Sequence, residues 1–250
     1  MEIFLDSRLS LSEVKNEILS LRLSEEPLII RGGKKFLNAS EWKSFLLADC
    51  GLKHDRSHYN FSEKLELADW WEISFQPDKA TSYAYSNTKQ PFHTDNAWFS
   101  QPAELNFFIM EKQAASGGEQ MFYQVSRLFQ DLASEEPALF KDLTTTKVVI
   151  SKGDGGYFNE TTILKDSNSP QVFWNFYRTD KSHQDIMRMC NAFFEFLERK
   201  ERTRSVELVK CETDDCFVFN DTRMLHARNS FEATLPFDRI LIQSMWHFPS

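Results

Sequence analysis

Residues 105–123 read LNFFIMEKQAASGGEQMFY and largely decide the fold class that the sequence predicts. The stretch begins with an apolar run, residues 105–110, that is typical of a buried strand. The turn-forming residues 116–118 then break the run, and residues 120–123 have the composition of a returning strand. Similar short runs occur along much of the chain, which favours a β-sandwich or jelly roll over a parallel α/β fold.

Helices are predicted to flank these strands. The predicted helices run from a cap at Ser10 or Ser12 to about Leu23, from Ser40 to Ala48, from Gln124 to Leu143 with a break near Pro137, and from a cap at Ser182 to about Lys200. The other predicted strands are residues 27–30, 147–151, 157–164, 171–177, 206–209, 217–219 and 239–246. No internal repeat, long linker or shift in composition divides the chain. We therefore expect one mainly β domain with flanking helices (α+β) over residues 1–250.

Composition and charge exclude several classes of protein. The 250 residues include 29 basic and 37 acidic ones, so the net charge is −8. An acidic chain gains nothing from counterion release on a phosphate backbone, so no nucleic-acid partner is expected. No apolar run is long enough to span a membrane, and the N-terminus does not resemble a signal peptide. The four cysteines form no CxxC pair, which favours a cytoplasmic protein with free thiols.

Two of the six histidines begin an H-x-D triplet, His93 to Asp95 and His183 to Asp185. Residues i and i+2 point to the same face of a strand, whereas on a helix they do not face each other. His93 and Asp95 lie in non-helical sequence and can therefore bind one metal ion together. His183 and Asp185 lie in the first turn of a predicted helix, where the acid complements the helix dipole. We interpret this second pair as structural.

A third ligand would complete a site of two histidines and one carboxylate, which binds Fe(II) and leaves coordination positions open. His226 follows a predicted strand and has polar neighbours, although spacing alone leaves a purely structural role equally open. His54 and His58 have the context of surface histidines. His247 follows an apolar strand and has no polar company in the sequence.

Several sequence blocks resemble the TauD/TfdA-like (taurine dioxygenase) family, and the γ-butyrobetaine hydroxylase branch of that superfamily is similar too. The blocks are residues 85–98 (YSNTKQPFHTDNAW), 101–108 (QPAELNFF), 117–123 (GGEQMFY), 219–231 (FNDTRMLHARNSF) and 237–239 (FDR). The resemblance implies a dioxygenase on a double-stranded β-helix, or jelly roll. It implies Fe(II) as cofactor, 2-oxoglutarate as cosubstrate and O2 as oxidant. His93, Asp95 and His226 would be the catalytic metal ligands.

The same resemblance points to residues that would hold 2-oxoglutarate. Arg239 follows His226 by the family's spacing and lies in an apolar strand, where a cation is costly without an anion. A salt bridge to Asp238 or Glu119 is the alternative. Gln120 stands where many members have threonine, and its amide can still bind a carboxylate. Arg228 either contacts the cosubstrate or braces the turn through Asp221.

Substrate contacts are expected from residues beside the H-x-D triplet and from a late aromatic segment. These residues are Tyr85, Asn87, Asn96, Trp98 and Arg178. If Arg178 lines the pocket, the substrate should carry an anionic group, as an amino acid does.

The expected reaction is hydroxylation of a small polar or anionic metabolite, with release of succinate and CO2. In related halogenases a small residue replaces the acid, so Asp95 argues against halogenation. Desaturation or cyclisation by the same chemistry stays open. A non-catalytic jelly-roll protein that binds a small molecule is the alternative from another functional class.

Overall fold

The computed structural model describes residues 1–4, 10–153, 156–165, 169–203 and 205–249. The strands within these ranges are β1 (Glu2–Phe4), β2 (Leu28–Arg31), β3 (Lys53–Asp55), β4 (Ser57–Tyr59), β5 (Leu65–Leu67), β6 (Trp71–Ser74), β7 (Gln90–His93), β8 (Leu105–Lys112), β9 (Gln120–Gln124), β10 (Lys147–Lys152), β11 (Tyr157–Thr162), β12 (Leu164–Lys165), β13 (Gln171–Val172), β14 (Glu207–Val209), β15 (Cys216–Asn220), β16 (Met224–Arg228) and β17 (Ile240–His247). The helices are α1 (Leu11–Ser20), α2 (Gly33–Phe36), α3 (Ala39–Ala48), α4 (Val125–Glu135), α5 (Pro137–Thr145) and α6 (Gln184–Arg202). Among the described residues, no helix combines the length and the apolar character that a membrane crossing requires.

Two sheets form the body of the fold. The larger sheet has the order β1-β2-β15-β8-β17-β3, with β6 also paired to β17, and the smaller sheet has the order β14-β9-β16-β7. The prediction of a mainly β jelly roll with flanking helices is therefore confirmed.

The expectation that residues 120–123 return alongside residues 105–110 is wrong. β8 pairs with β15 and β17, whereas β9 pairs with β14 and β16 in the other sheet. Gly117 and Gly118 both have a left-handed φ, and Gly117 forms a bridge to Phe231 just beyond β16. The chain therefore crosses between the sheets at the point where the sequence predicts a simple hairpin.

Alternating side chains divide the apolar residues between the interior and the outer faces. On β8, Phe107 and Ile109 pack in the cluster that contains the buried face of α1 and α3. Phe108 and Met110 point the other way and join Phe122 of the smaller sheet in the interior. Helices α4, α5 and α6 cover the outer face of the smaller sheet. The result is a sandwich with helices on both outer faces.

The helices predicted from capping residues and apolar spacing lie close to the predicted positions, with ends that differ by a few residues. Ser10 caps α1 through a capping box with Glu13, whereas Asn38 rather than Ser40 caps α3. His183 rather than Ser182 is the N-cap of α6, and Asp185 in its first turn pairs with Arg188, as a structural interpretation requires.

The strand predicted over residues 171–177 is only Gln171–Val172. Beyond it the chain turns, because the carbonyl of Asn175 accepts hydrogen bonds from the backbone N–H groups of Arg178 and Thr179.

The prediction that His54 and His58 are surface histidines is wrong. The His54 side chain is only 6% exposed, and its ring stacks on Trp246 with a centroid separation of 4.2 Å. His58 is also buried and stacks on Trp71 at 5.6 Å. Each histidine stacks on an aromatic ring from another strand, a contact that the residues next to the histidine do not reveal.

The expectation that His247 has no polar company is also wrong. Its ring nitrogens lie 3.6 Å from a carboxylate oxygen of Asp55 and 3.3 Å from one of Glu104. Interactions with these two carboxylates raise the pKa of His247 to about 9. The partners come from β3 and from the residue before β8, both far away in the sequence.

The close approach of Gly117 to the chain just beyond β16 leads to a testable prediction. A Cβ at Gly117 would lie 2.3 Å from the carbonyl oxygen of Ser230 and 2.9 Å from Cα of Phe231. Gly51 has a similar left-handed φ, but a Cβ there would meet nothing within 4 Å. We expect Gly51→Ala to lower the free energy of unfolding by about 1–2 kcal/mol, the cost of the left-handed backbone alone.

Gly117→Ala should cost about 3 kcal/mol or more, because the clash with backbone adds to that strain. Urea unfolding at neutral pH measures both variants. Equal destabilisation would show that the close approach to β16 does not constrain the fold.

Candidate active site

Pairing of β7 with β16 brings two histidines together. The strands are antiparallel with His93 directly opposite His226, and the ring centroids are 4.1 Å apart. Asp95 follows two residues after His93, and its carboxylate oxygens lie 3.5 Å from Nε2 of His93 and 3.7 Å from Nε2 of His226. One donor atom from each residue lies within 4.8 Å of the others. The three residues could therefore hold one metal ion.

Neighbouring backbone fixes which nitrogen of His93 faces this site. Nδ1 lies 3.0 Å from the carbonyl oxygen of Pro91, to which it donates, so Nε2 carries the free lone pair. The side-chain amide of Gln90 lies 2.9 Å from that nitrogen. A metal ion would bind to Nε2 of His93 in place of the contact with Gln90.

A buried carboxylate, Asp221, lies behind the other histidine. Its Oδ1 lies 3.0 Å from Nδ1 of His226, and its Oδ2 accepts the backbone N–H of Asp95 at 2.7 Å. Burial lowers the pKa of His226, so the ring is neutral at physiological pH, as a metal ligand must be. Burial beside Asp95 raises the pKa of Asp221. Asp221 thus connects two of the three candidate ligands.

Amides on the larger sheet hold the Asp95 carboxylate. Its Oδ2 accepts hydrogen bonds from Nδ2 of Asn106 at 3.0 Å and from Nε2 of Gln243 at 2.7 Å. Burial would raise the pKa of this carboxyl, but the adjacent histidines and Gln243 hold it well below its usual range. Sequence reasoning missed both amides. The signal was an amide side chain in each of the largely apolar strands β8 and β17.

Arg239 is a buried cation without an anion among the described residues. It is 1% exposed, and its Nε donates weakly to Oε1 of Gln113 at 3.3 Å. Its Nη2 has no hydrogen-bond partner among the described residues, and its guanidinium carbon lies 5.2 Å from the ring centroid of Phe231. Neither predicted salt bridge forms. Asp238 instead accepts a hydrogen bond from the backbone N–H of Leu235, and Glu119 accepts one from the side-chain amide of Asn229. Burial lowers the pKa of Arg239 to about 10, so it stays charged at neutral pH.

Arg228 and Gln120 lie opposite each other on β16 and β9, on the same face as His226. Arg228 does not brace Asp221, which is already engaged by His226 and Asp95. Its guanidinium instead donates to the backbone carbonyls of Ser86 at 2.9 Å and Thr88 at 2.8 Å. Arg228 therefore ties the segment before β7 to the strand that carries His226.

A cavity of about 480 Å³ opens beside His93 and Asp95. Four of the five predicted substrate residues line it, namely Tyr85, Asn96, Trp98 and Arg178. Asn87 does not line it, and its backbone carbonyl instead accepts the N–H of Phe231 at 3.1 Å.

Further cavity residues were missed by sequence reasoning, among them Tyr59, Glu63 and Lys152. Nη2 of Arg178 lies 2.6 Å from Oε1 of Glu63, so this arginine is already paired. The missed residues come from β4, the turn after it and the end of β10. These segments lie outside the motif blocks, so no local pattern marked them.

Three comparisons with known proteins bear on this site. The family model described as "Taurine catabolism dioxygenase TauD, TfdA family" matches residues 5–245. Gamma-butyrobetaine dioxygenase of Homo sapiens is 25% identical over 183 residues, which are 68% of this chain and 47% of that protein. Dioxygenase str8 of Strobilurus tenacellus is 23% identical over 195 residues, 74% of this chain and 45% of that protein. The chain spans about half the length of these curated relatives.

Solved structures show the same fold. An asparagine oxygenase in complex with Fe(II), 2S,3S-3-hydroxyasparagine and succinate superposes with a TM-score of 0.70 at 13% identity, covering 95% of this chain and 79% of that one. The non-heme iron oxygenase OrfP in complex with Fe and alpha-ketoglutaric acid gives a TM-score of 0.68 at 12% identity, covering 95% and 80%. Because the family model extends over nearly the whole sequence, the chain belongs to the TauD/TfdA family of dioxygenases.

Proposed function

We propose that this protein is an Fe(II)- and 2-oxoglutarate-dependent dioxygenase that hydroxylates a small polar or anionic metabolite such as an amino acid, releasing succinate and CO2. One observation carries the proposal. The interior of the sandwich holds the triad of His93, Asp95 and His226, whose two histidines are buried, and also a buried arginine, Arg239, that lacks an anion among the described residues.

The donor set fits Fe(II). Two imidazoles and one carboxylate are a ligand set that binds Fe(II) and leaves coordination positions open. Bound there, the iron would supply the activation of O2 that oxidises an unreactive C–H bond. His93, Asp95 and His226 would hold it. Asn106 and Gln243 keep the Asp95 carboxylate in place, and Asp221 keeps Nε2 of His226 turned toward the site.

The surroundings of Arg239 fit the distal carboxylate of 2-oxoglutarate. A planar guanidinium can bind a carboxylate through two parallel hydrogen bonds, and Nη2 of Arg239 is free to donate. Gly118 makes room beside it, since a Cβ there would lie 3.2 Å from Nε of Arg239. Gln120 lies on the same interior face as His226 and would contribute its amide.

The cavity supports a small substrate with charged groups. Its wall combines aromatic rings with the cations Lys152 and Arg178 and the carboxylate of Glu63. The structural neighbours are in complex with hydroxylated asparagine and arginine, and a curated relative is named for γ-butyrobetaine. These similarities support a substrate that carries both a positively charged nitrogen and a carboxylate.

Cysteine chemistry supports a location in the cytoplasm, which we also propose. All four cysteines are free and buried. This is the state expected of a protein in a reducing compartment.

Replacing His226 tests the triad. Under anaerobic conditions, the parent protein with Fe(II) should develop a weak visible charge-transfer band when 2-oxoglutarate is added. His226→Ala should abolish the band, because one of three protein ligands is lost. His183→Ala, in the other H-x-D triplet, should leave the band unchanged. A parental band in His226→Ala would remove the triad from the proposal.

Asp221→Asn tests the residue that orients His226. We expect Fe(II) to bind about 10- to 100-fold more weakly, as is typical when a carboxylate behind a ligating histidine is lost. Anaerobic competition titration with a chelator measures this affinity. Asp131→Asn is a matched control, because Asp131 accepts a hydrogen bond from Tyr123 outside the interior of the sandwich. Equal Fe(II) affinity in both variants would contradict the role of Asp221.

Arg239→Lys separates charge from geometry in the cosubstrate site. The lysine keeps the positive charge but cannot form the two-pronged contact, so 2-oxoglutarate should bind about tenfold or more weakly. Titrating the visible band with 2-oxoglutarate gives this affinity, and Fe(II) binding should be preserved. Arg199→Lys, at an exposed pair with Glu136, is the control. Unchanged affinity for 2-oxoglutarate in Arg239→Lys would show that its guanidinium serves the fold instead.

A further inference from the structure

Lys152 ends β10 and lines the cavity beside the triad. Its ammonium lies 4.5 Å from the ring centroid of Trp98 and 5.3 Å from that of Tyr59. Aromatic faces attract a cation and fix its position, but they do not neutralise it. Among the described residues, Lys152 has no carboxylate within ion-pair distance.

The other charges that face this cavity are already engaged. Arg178 is paired with Glu63, and Asp95 accepts hydrogen bonds from two amides and belongs to the triad. Arg178, which the sequence analysis considered as a conditional anion site, is thus compensated by a neighbour. Within the described part of the chain, Lys152 is the cavity cation that is left for a ligand.

Burial lowers the pKa of Lys152 to about 8, and the charge of Arg178 adds to this effect. Asp95 and Glu63 oppose it from a distance without forming a contact. The protein therefore holds a desolvated ammonium in place at a free-energy cost that an anionic ligand would offset.

We infer that Lys152 binds the carboxylate of the substrate in this cavity and so selects a substrate with one carboxylate. A second carboxylate would lie in a cavity that already contains Asp95 and Glu63, without a further free cation among the described residues to meet it. Asparagine or glutamine would then be preferred to aspartate or glutamate. The inference rests on the proposed function and deepens it by naming the group that the substrate presents.

The test uses the protein loaded anaerobically with Fe(II) and 2-oxoglutarate. The probes are the twenty protein amino acids and γ-butyrobetaine, added one at a time. Binding is followed by the shift of the visible band and by tryptophan fluorescence, because Trp98 contacts the Lys152 ammonium. The variants are Lys152→Met, which keeps the length of the side chain, and Lys152→Arg, which keeps its charge.

We expect at least one monocarboxylate probe to bind and to lose about 10- to 100-fold in affinity in Lys152→Met. The carboxamide analogue of that probe should lose a similar factor on the parent protein, and Lys152→Arg should recover part of the binding. Lys165→Met is the matched control, because Lys165 is an exposed strand lysine 4.3 Å from the ring centroid of Phe173 and does not line the cavity. It should bind the probe like the parent.

The outcomes separate this inference from the proposed function. If the 2-oxoglutarate band forms but no probe binds, or a probe binds equally well to Lys152→Met, the role of Lys152 is wrong and the proposed function stands. Preference for aspartate over asparagine would likewise overturn the single-carboxylate selection. If the parent forms no band at all, the proposed function fails and the inference fails with it.

Discussion

The antiparallel pairing of β7 with β16, with His93 opposite His226, is the constraint on which the rest of the site depends. Directly opposite residues on one face of an antiparallel pair have side chains close enough to share a ligand. Asp95 reaches the same point because it follows His93 by two residues and because Asp221 accepts its backbone N–H. A slip of one residue in this register would turn His226 outward, toward the helices that cover the smaller sheet.

Contacts of Arg228 and of Gly117 help to keep β7 and β16 in this register. Arg228, two residues beyond His226, donates to backbone carbonyls of the segment that leads into β7. Gly117 packs closely against the chain just after β16, at the point where the main chain crosses from one sheet to the other. Both contacts hold strands from separate parts of the sequence in one alignment, so the geometry of the triad is a property of the whole sandwich.

Local signals in the sequence predicted His93, Asp95 and many of the elements, whereas His226 was predicted only through the resemblance to the family. The H-x-D spacing, the apolar runs and the helix caps each depend on a few adjacent residues. Partners brought together by strand pairing could not be predicted in this way. The stacking of His54 on Trp246 and the contacts of His247 with Asp55 and Glu104 join segments far apart in the chain, and both histidines were misjudged.

The cavity residues also could not be predicted from local sequence, but the pairing of their charges in the structure distinguishes them. Arg178 looked like an anion site because its pairing with Glu63, 115 positions away, leaves no trace in the sequence. Lys152 gave no signal, since a single lysine at the end of a strand is ordinary. The two residues differ in whether a described carboxylate pairs with their charge, since Arg178 has Glu63 and Lys152 has none. Arg239 and Lys152 are both positioned by aromatic rings and both lack an acidic partner among the described residues. Because a desolvated cation is unfavourable until an anion meets it, an anion bound at either position would stabilise the fold. One lies in the interior of the sandwich and the other in the cavity beside the triad, which matches the proposed reaction, in which 2-oxoglutarate and a carboxylate-bearing substrate would meet at one metal ion.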